Sequence, residues 1–304
     1  MQFPSSEQFD TFYYDNLKPL LEKEDGTRKK IILNNTILAV VIVAGFIVET
    51  VTWMLIGIIF IVIFVFWFTR QYNISFNYYQ LRLENIIFSR VAKFIFPAFQ
   101  YDYDRYIKLK DLQQGFIVSG EPKQYGGKNF INCVAGTMHI EISEISSFTN
   151  QRDVSGTQSH HRHFSGLVGC AQFKISLKDP IMIVNESELQ ESLSFVLPEE
   201  KQSVTNETFF SNYYNEKDFQ KYLSPSVWLL IKDYVDSTGN KIIITIKENG
   251  MYAGISKDTH QPYIPVQVFQ SAVNKKPAET YFKDIIFLMQ LFKAIEKIQL
   301  AEVK

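Results

Sequence analysis

From residue 31 to residue 68 the chain runs through Ile, Val, Leu, Phe, Trp, Gly and Ala, with Asn34, Asn35, Glu49 and a few threonines as the main interruptions. No other stretch limits the possible folds so strongly. At about 1.5 Å per residue a single helix of this length would reach nearly twice the roughly 30 Å of a bilayer's hydrocarbon layer, more than tilt absorbs. The run is therefore expected to form two spans, near 31–48 and 51–68, with Glu49-Thr50-Val51-Thr52 at the tip of a tight hairpin. Trp53 and Trp67 would sit at the interfaces that indoles favour. Lys23, Arg28, Lys29 and Lys30 precede the run and Arg70 and Arg82 follow it, so both termini are expected on the cytoplasmic side. A cleaved signal peptide would need its cations near residue 1 and a shorter apolar core. Asn34 and Asn35 fall within a turn of the boundary and are read as facing the interface or the sister helix.

Outside this run the composition is balanced, with 31 Lys and Arg against 32 Asp and Glu. A disordered chain would hold fewer apolar residues, a disulfide scaffold more cysteines than Cys133 and Cys170, and a nucleic-acid binder a basic excess. The 26 Phe and 16 Tyr lack a basic stripe beside them, so they read as core and interfacial residues and not as a stacking platform. In a cytosolic domain the two cysteines are expected to be reduced thiols.

The remaining patterns divide the chain. Residues 1–30 are expected to hold a cytosolic amphipathic helix, with Ser5 and Gln8 in capping-box spacing and Phe9, Phe12, Tyr13, Leu17, Leu20 and Leu21 along one stripe. Residues 69–97 continue helically as a stalk, with Phe76, Tyr79, Leu83, Ile87, Val91 and Ile95 recurring at three and four until Pro97. Residues 98–304 read as a cytosolic α+β domain whose two parts meet near 198–206. Its strands are expected at 129–134, 138–145, 164–177 and 181–184, with 149–162 an exposed loop. Asn215 and Ser224-Pro225 open helices, Asn249-Gly250 marks a hairpin, and 278–301 is a long core-facing helix.

Candidate chemistry is sparse. His160, His161 and His163, with Cys170, His139 and Cys133 near them, are of zinc-ligand type but lack any C-x-x-C or H-E-x-x-H spacing, so a solvated loop is the expectation. Glu141 and Glu144 are three apart on a strand and point to opposite faces, so they do not converge as an acid–base pair. The glycines at 120, 126, 127 and 164–169 lack phosphate-loop spacing and read as turns and close strand approaches. No cofactor is implied.

Several collinear motifs resemble one family, the bacterial membrane proteins of domain-of-unknown-function 3137. They are Phe12-Tyr13-Tyr14 with Leu17-Lys18-Pro19-Leu20, the apolar hairpin, Phe96-Pro97 before Tyr101, Ile140-Glu141-Ile142-Ser143-Glu144, Phe164-Ser165-Gly166-Leu167, Tyr222-Leu223-Ser224-Pro225, and Met251-Tyr252-Ala253-Gly254-Ile255. The resemblance implies a bacterial inner- or plasma-membrane protein with a cytosolic α+β domain and no assigned activity. It also implies a LemA-type membrane protein as a partner. The hairpin, antiparallel strands and terminal helix are analogous at fold level to pleckstrin-homology-like membrane proteins, and fold does not fix function. The function expected is a membrane-anchored cytosolic binding or scaffold module touching the lipid bilayer and no nucleic acid. The rival is a metal-dependent enzyme at the cytosolic membrane face using His160, His161, His163, Glu141 and Glu144.

Overall fold

The computed structural model describes residues 3–49, 54–96, 98–118, 121–152, 158–175, 177, 179–185, 202–206, 209–212, 215–257, 271 and 273–302. They fall into two compact units, one of Pro4–Val91 with Ile264–Glu279, the other of Met1–Phe3, Ala92–Tyr263 and Thr280–Lys304.

In the first of these, helix α1 (Ser6–Phe12) starts on the capping box expected at Ser5. The Gln8 amide donates to Ser5 Oγ at 3.3 Å and the Ser5 amide to Gln8 Oε1 at 2.8 Å. A π-helical turn at Tyr13–Leu17 joins α1 to α2 (Lys18–Glu49). The turn has a consequence for packing. Phe9, Tyr13, Leu17 and Leu21 are all buried, and a row at steps of four drifts about 40° per step on a regular α-helix. One wider turn cancels most of that drift and keeps the row on a single face. Helix α3 (Met54–Ile95) is continuous, and its C-terminal half buries Tyr79, Leu83, Ile87, Phe88, Val91 and Ile95.

Among the described residues no helix is long and apolar enough to cross a membrane. This overturns the expected spans at 31–48 and 51–68, and with them the integral-membrane placement and the two-sided topology. Helix α2 spends its first turns on charged residues, of which Glu24, Asp25 and Arg28 are buried. Asn34, Asn35 and Thr36 then interrupt its apolar part, and α3 turns polar at Thr69-Arg70-Gln71. Residues 50–53, hence most of the expected tip and Trp53, and the side chains of 46–61 lie outside the described residues. Leu33, Ile37, Val40 and Val43 on α2 and Val62, Phe66, Ile74 and Tyr78 on α3 are exposed.

The other unit is α+β, built on an antiparallel sheet. Its strands are β1 (Phe99–Asp102), β2 (Gln124–Ala135), β3 (Met138–Arg152), β4 (Gln158–Gln172), β5 (Ile181–Val184), β6 (Gln202–Asn206), β7 (Phe209–Asn212), β8 (Lys241–Lys247) and β9 (Gly250–Ser256). The nine described strands lie in the order β1-β2-β3-β4-β9-β8-β5-β7-β6. The late hairpin β8–β9 thus inserts between β4 and β5. Short helices α4 (Leu109–Gln114) and α5 (Glu216–Tyr222), helix α6 (Pro225–Thr238) and the long C-terminal α7 (Lys275–Glu302) complete the described elements. Asn215 caps α5, accepting from the Lys217 amide at 3.0 Å, and Pro225 opens α6, which stops at Gly239 in the left-handed conformation. The two starts fall where the sequence puts them, and the stop at Gly239 is the left-handed cap that glycine favours.

Two strand expectations need correction. The stretch 149–162, expected as an exposed loop, is largely strand: β3 runs on to Arg152 and β4 starts at Gln158, with His161 opposite Thr149 and His160 opposite Asn150. Polar residues at both positions of the alternation concealed a ladder that backbone hydrogen bonds extend beyond the core. The β8–β9 turn is Glu248-Asn249, one residue earlier than expected, because Lys247 pairs with Gly250. Gly250 is needed for closeness: a Cβ there would lie 2.3 Å from the Ala171 carbonyl oxygen of β4.

Alternation splits the sheet into two buried faces. Ile145, Phe164, Val168, Cys170, Met182, Val184 and Ile243 face a layer made by Ile107, Leu112, Ile117 and Val118 around α4. On the other face α7 lies against the sheet, where a Cβ on Gly169 would meet Phe292 at 2.9 Å and Leu288 at 3.3 Å. Helix α7 is also tied to the β2–β3 turn. Buried Glu296 accepts from the Thr137 amide at 2.9 Å and the Thr137 hydroxyl at 2.5 Å through one oxygen, Oε1. Glu296→Ala loses both of these charge-assisted hydrogen bonds and is expected to cost about 1–3 kcal/mol in urea denaturation. Glu296→Gln, which keeps an acceptor, is expected to cost less.

Candidate functional site

Among the described residues, those considered for chemistry in the sequence do not assemble. Glu141 and Glu144 lie on opposite faces of β3: Glu141 pairs with Cys170, and Glu144 accepts from Asn129 Nδ2 at 3.2 Å with Lys128 Nζ at 4.0 Å. Cys133 pairs with Ile140 and Cys170 with Glu141, so the two thiols occupy opposite faces. Burial pushes the Cys133 thiol up to about 12 and holds Cys170 well above its usual value, with Glu141 and Asp111 adding to the latter. Both are neutral core thiols, unsuited to nucleophilic attack. His139 shares a face with Cys170, and its Nδ1 is buried without a hydrogen-bond partner. The side chains of His160, His161 and His163 lie outside the described residues, and their backbone belongs to β4. Among the described residues no group of three or more His, Cys, Asp or Glu could hold a metal ion.

Two other places bring polar groups together. The first is a buried network between α7 and the sheet. Tyr101 donates to Asn129 Oδ1 at 2.8 Å, and Asn129 passes the connection to Glu144. Asn129 is fully buried with φ +61°, a conformation that asparagine tolerates better than most residues. Farther along, Asp284 of α7 is fully buried and accepts from the Tyr234 hydroxyl at 2.5 Å, with Lys257 Nζ at 3.8 Å from its other oxygen. Asn240 Nδ2 donates to the Tyr234 oxygen at 2.8 Å, and the Tyr234 ring stacks on Phe287 with centroids 3.8 Å apart. Burial raises the Asp284 carboxyl to about 6 against the opposing pull of Lys257 and the Tyr234 hydrogen bond. Burial also lowers Lys257, countered by Asp284 and Glu144. The Tyr234 phenol is driven up by burial and by Asp284 and stays neutral.

The second place is an open cavity of about 450 Å³ where the start of α6 meets α7. Phe3, Val227, Ala294 and Ile298 give it an apolar floor, and Ser224, Ser226, Gln290, Lys293 and Lys297 bring polar groups to it. Ser224 occupies the N-cap of α6 yet makes no capping hydrogen bond; its hydroxyl lies 3.1 Å from that of Ser226. Pro225 has no amide hydrogen, and the amides of Ser226 and Val227 fall in the turn that has no intrahelical acceptor. Lys293 and Lys297 are one turn apart on α7, so two like charges share this face, a spacing that costs an isolated helix a few tenths of a kcal/mol. Lys293 Nζ also sits 5.2 Å from the Phe3 ring centroid. First-turn amides of α6, two hydroxyls and two ammonium groups thus share the lining with apolar side chains, a combination of donors and positive charge suited to an anion.

The sequence signals for these places were slight. Asp284 interrupts the apolar face of α7 between Phe282 and Ile285, and an acid on a core-facing stripe signals a buried partner. Nothing in the sequence distinguishes Lys293 and Lys297 from other lysines of a helix. Compared with protein-family models, curated proteins and solved structures, the chain matches none.

Proposed function

We propose that this protein is a binding module, and that the cavity between α6 and α7 receives an acidic group, carboxylate or phosphate, carried on a segment of a partner protein. The observation that carries the reading is the placement of Lys293 and Lys297 on the same opening as the uncapped start of α6. An anion there would meet two ammonium groups and amide donors aligned with the helix dipole, interactions each worth about 0.3–1 kcal/mol at an exposed helix end. The apolar floor favours an acidic residue flanked by apolar ones over a free ion, because the flanking side chains would bury surface at about 25 cal/mol per Å². Lys297 is exposed and Lys293 half-exposed, so both can reach an incoming acidic group.

The test is an amide-shift titration of the whole chain, first with inorganic phosphate and then with a peptide carrying an Asp-Glu pair between leucines. Shifts are expected at Ser226 and Val227, half-saturating in the millimolar range for phosphate and at least tenfold lower for the peptide, and weakening with added salt. Lys293→Glu with Lys297→Glu should abolish both titrations while leaving the melting temperature within about 2 °C, as surface substitutions do. Shifts spread over lysines elsewhere, or persisting in the double variant, would refute this reading.

A further inference from the structure

We propose that the Asp284–Lys257 pair is a proton-operated latch: with the carboxylate charged it ties the end of β9 to α7, and a proton on Asp284 opens it. The inference is independent of the cavity reading. The two carboxylate oxygens of Asp284 have different company. Oδ1 accepts from Tyr234 at 2.5 Å and has Asn240 Nδ2 at 3.5 Å, both neutral donors. Oδ2 faces the Lys257 ammonium at 3.8 Å. A proton on Oδ2 cancels the attraction to Lys257 while Tyr234 continues to hold Oδ1.

The groups around the pair make this a switch and not a general loosening. Tyr234 faces Asp284 from α6, Lys257 from the end of β9, and Glu144 faces Lys257 from β3, with Lys128 of β2 at 4.0 Å from Glu144. Lys257 thus feels the charge of both Asp284 and Glu144, and loss of charge on Asp284 leaves that of Glu144. Among these groups Asp284 is the one raised to about 6, by burial. Burial and Asp284 push the Tyr234 phenol up, and burial lowers Lys257 while Asp284 and Glu144 raise it.

The sign of the pH effect separates the latch from acid unfolding. The folded-state value of Asp284 lies above its ordinary 3.8, so between about pH 4 and 6 the folded chain binds more protons than the unfolded one. This group then adds to global stability as the pH falls through that window, and the addition is lost as the pH rises through 6. Locally the tie loosens over the same interval. Global stability and local protection should move in opposite directions.

The experiment uses the full chain. The Asp284 carboxyl is titrated by carbon-13 NMR, and exchange of the Lys257 amide, which donates to the Ser165 carbonyl at 2.9 Å, is followed from pH 5 to 8 after correction for intrinsic rates. A carboxyl midpoint near 6 is expected, with Lys257 protection at least tenfold lower below it than above. Asp284→Asn should show the low protection at every pH. If that variant does not fold, Tyr234→Phe replaces it: it removes a hydrogen bond that holds the carboxyl down, so the midpoint must rise. A wild-type midpoint near 4, protection flat across the range, or an unmoved midpoint in Tyr234→Phe would overturn the latch.

Discussion

Gly166→Ala is expected to destabilise the sheet-bearing unit by upward of about 4 kcal/mol, among the largest effects of any single methyl group in this chain. Gly166 sits in β4 opposite Ser256 of β9. A Cβ built there would lie 1.9 Å from the Ile255 carbonyl oxygen, 2.9 Å from its carbon and 3.0 Å from Ser256 Cα. All three are backbone atoms of the neighbouring strand, so no rotamer change can relieve the overlap. Strands β4 and β9 would have to separate by more than 1 Å, in the middle of the sheet and beside buried Leu167 and Ile255. Gly126→Ala is the matched control, also in a strand, with nothing within 4 Å of its Cβ; it should change stability by less than about 0.5 kcal/mol. For a unit of roughly 200 residues, a loss of 4 kcal/mol lowers the melting temperature by about 10 °C. Thermal melts of the two variants beside wild type decide the matter: equal melting temperatures would show that the two strands are not packed so closely.

The sequence carried a part of that result and not the rest. Glycines at 164–169 read as close strand approaches, because a phosphate loop needs a helix after them, and Gly166 and Gly169 prove to be such approaches against β9 and α7. Local signals of one or two residues were equally legible: Ser5 with Gln8, Asn215, and Pro225 each start a helix, since caps and proline act through the nearest backbone alone. What escaped depends on distant partners. Polarity at 149–162 suggested a loop because the hydrogen bonds that make it strand come from the facing strand. The place of Asp284 on the apolar face of α7 signals a buried partner without identifying it, because Tyr234 reaches it from 50 residues away and Lys257 from the end of β9. The apolar run at 31–68 was read from its length, its break at Glu49–Thr52 and its flanking Trp and cations. Those features could not register that Glu24, Asp25 and Arg28, just before it, are buried on the same helix.

Those buried charges carry the second large effect, and it turns on one acid with two cations. Asp25 is paired with Arg28 Nε at 2.7 Å and with Lys29 Nζ at 3.3 Å. The side chains differ in environment: Arg28 is 9% exposed and Lys29 71%. By distance alone the two bonds would be near equals. Solvent makes them unequal, because an exposed pair is screened and exchanges one set of water contacts for another, a net gain of about 0–1 kcal/mol. A buried partner, once removed, leaves an uncompensated charge in a medium that solvates it poorly. One turn before Arg28 on the same helix, Glu24 is 3% exposed and pairs with Arg82 at 2.6 Å. Deleting the Arg28 charge therefore leaves buried Asp25 facing the exposed Lys29. Arg28→Met, which keeps most of the volume, is expected to cost the helical unit about 3–5 kcal/mol, and Lys29→Met less than about 1 kcal/mol. Hydrogen exchange of the amides flanking Tyr79, a buried residue of α3 in the same unit, reads the two variants separately from the sheet. Equal protection in both would mean that the arginine is solvated and that its burial is not what holds the acid in place.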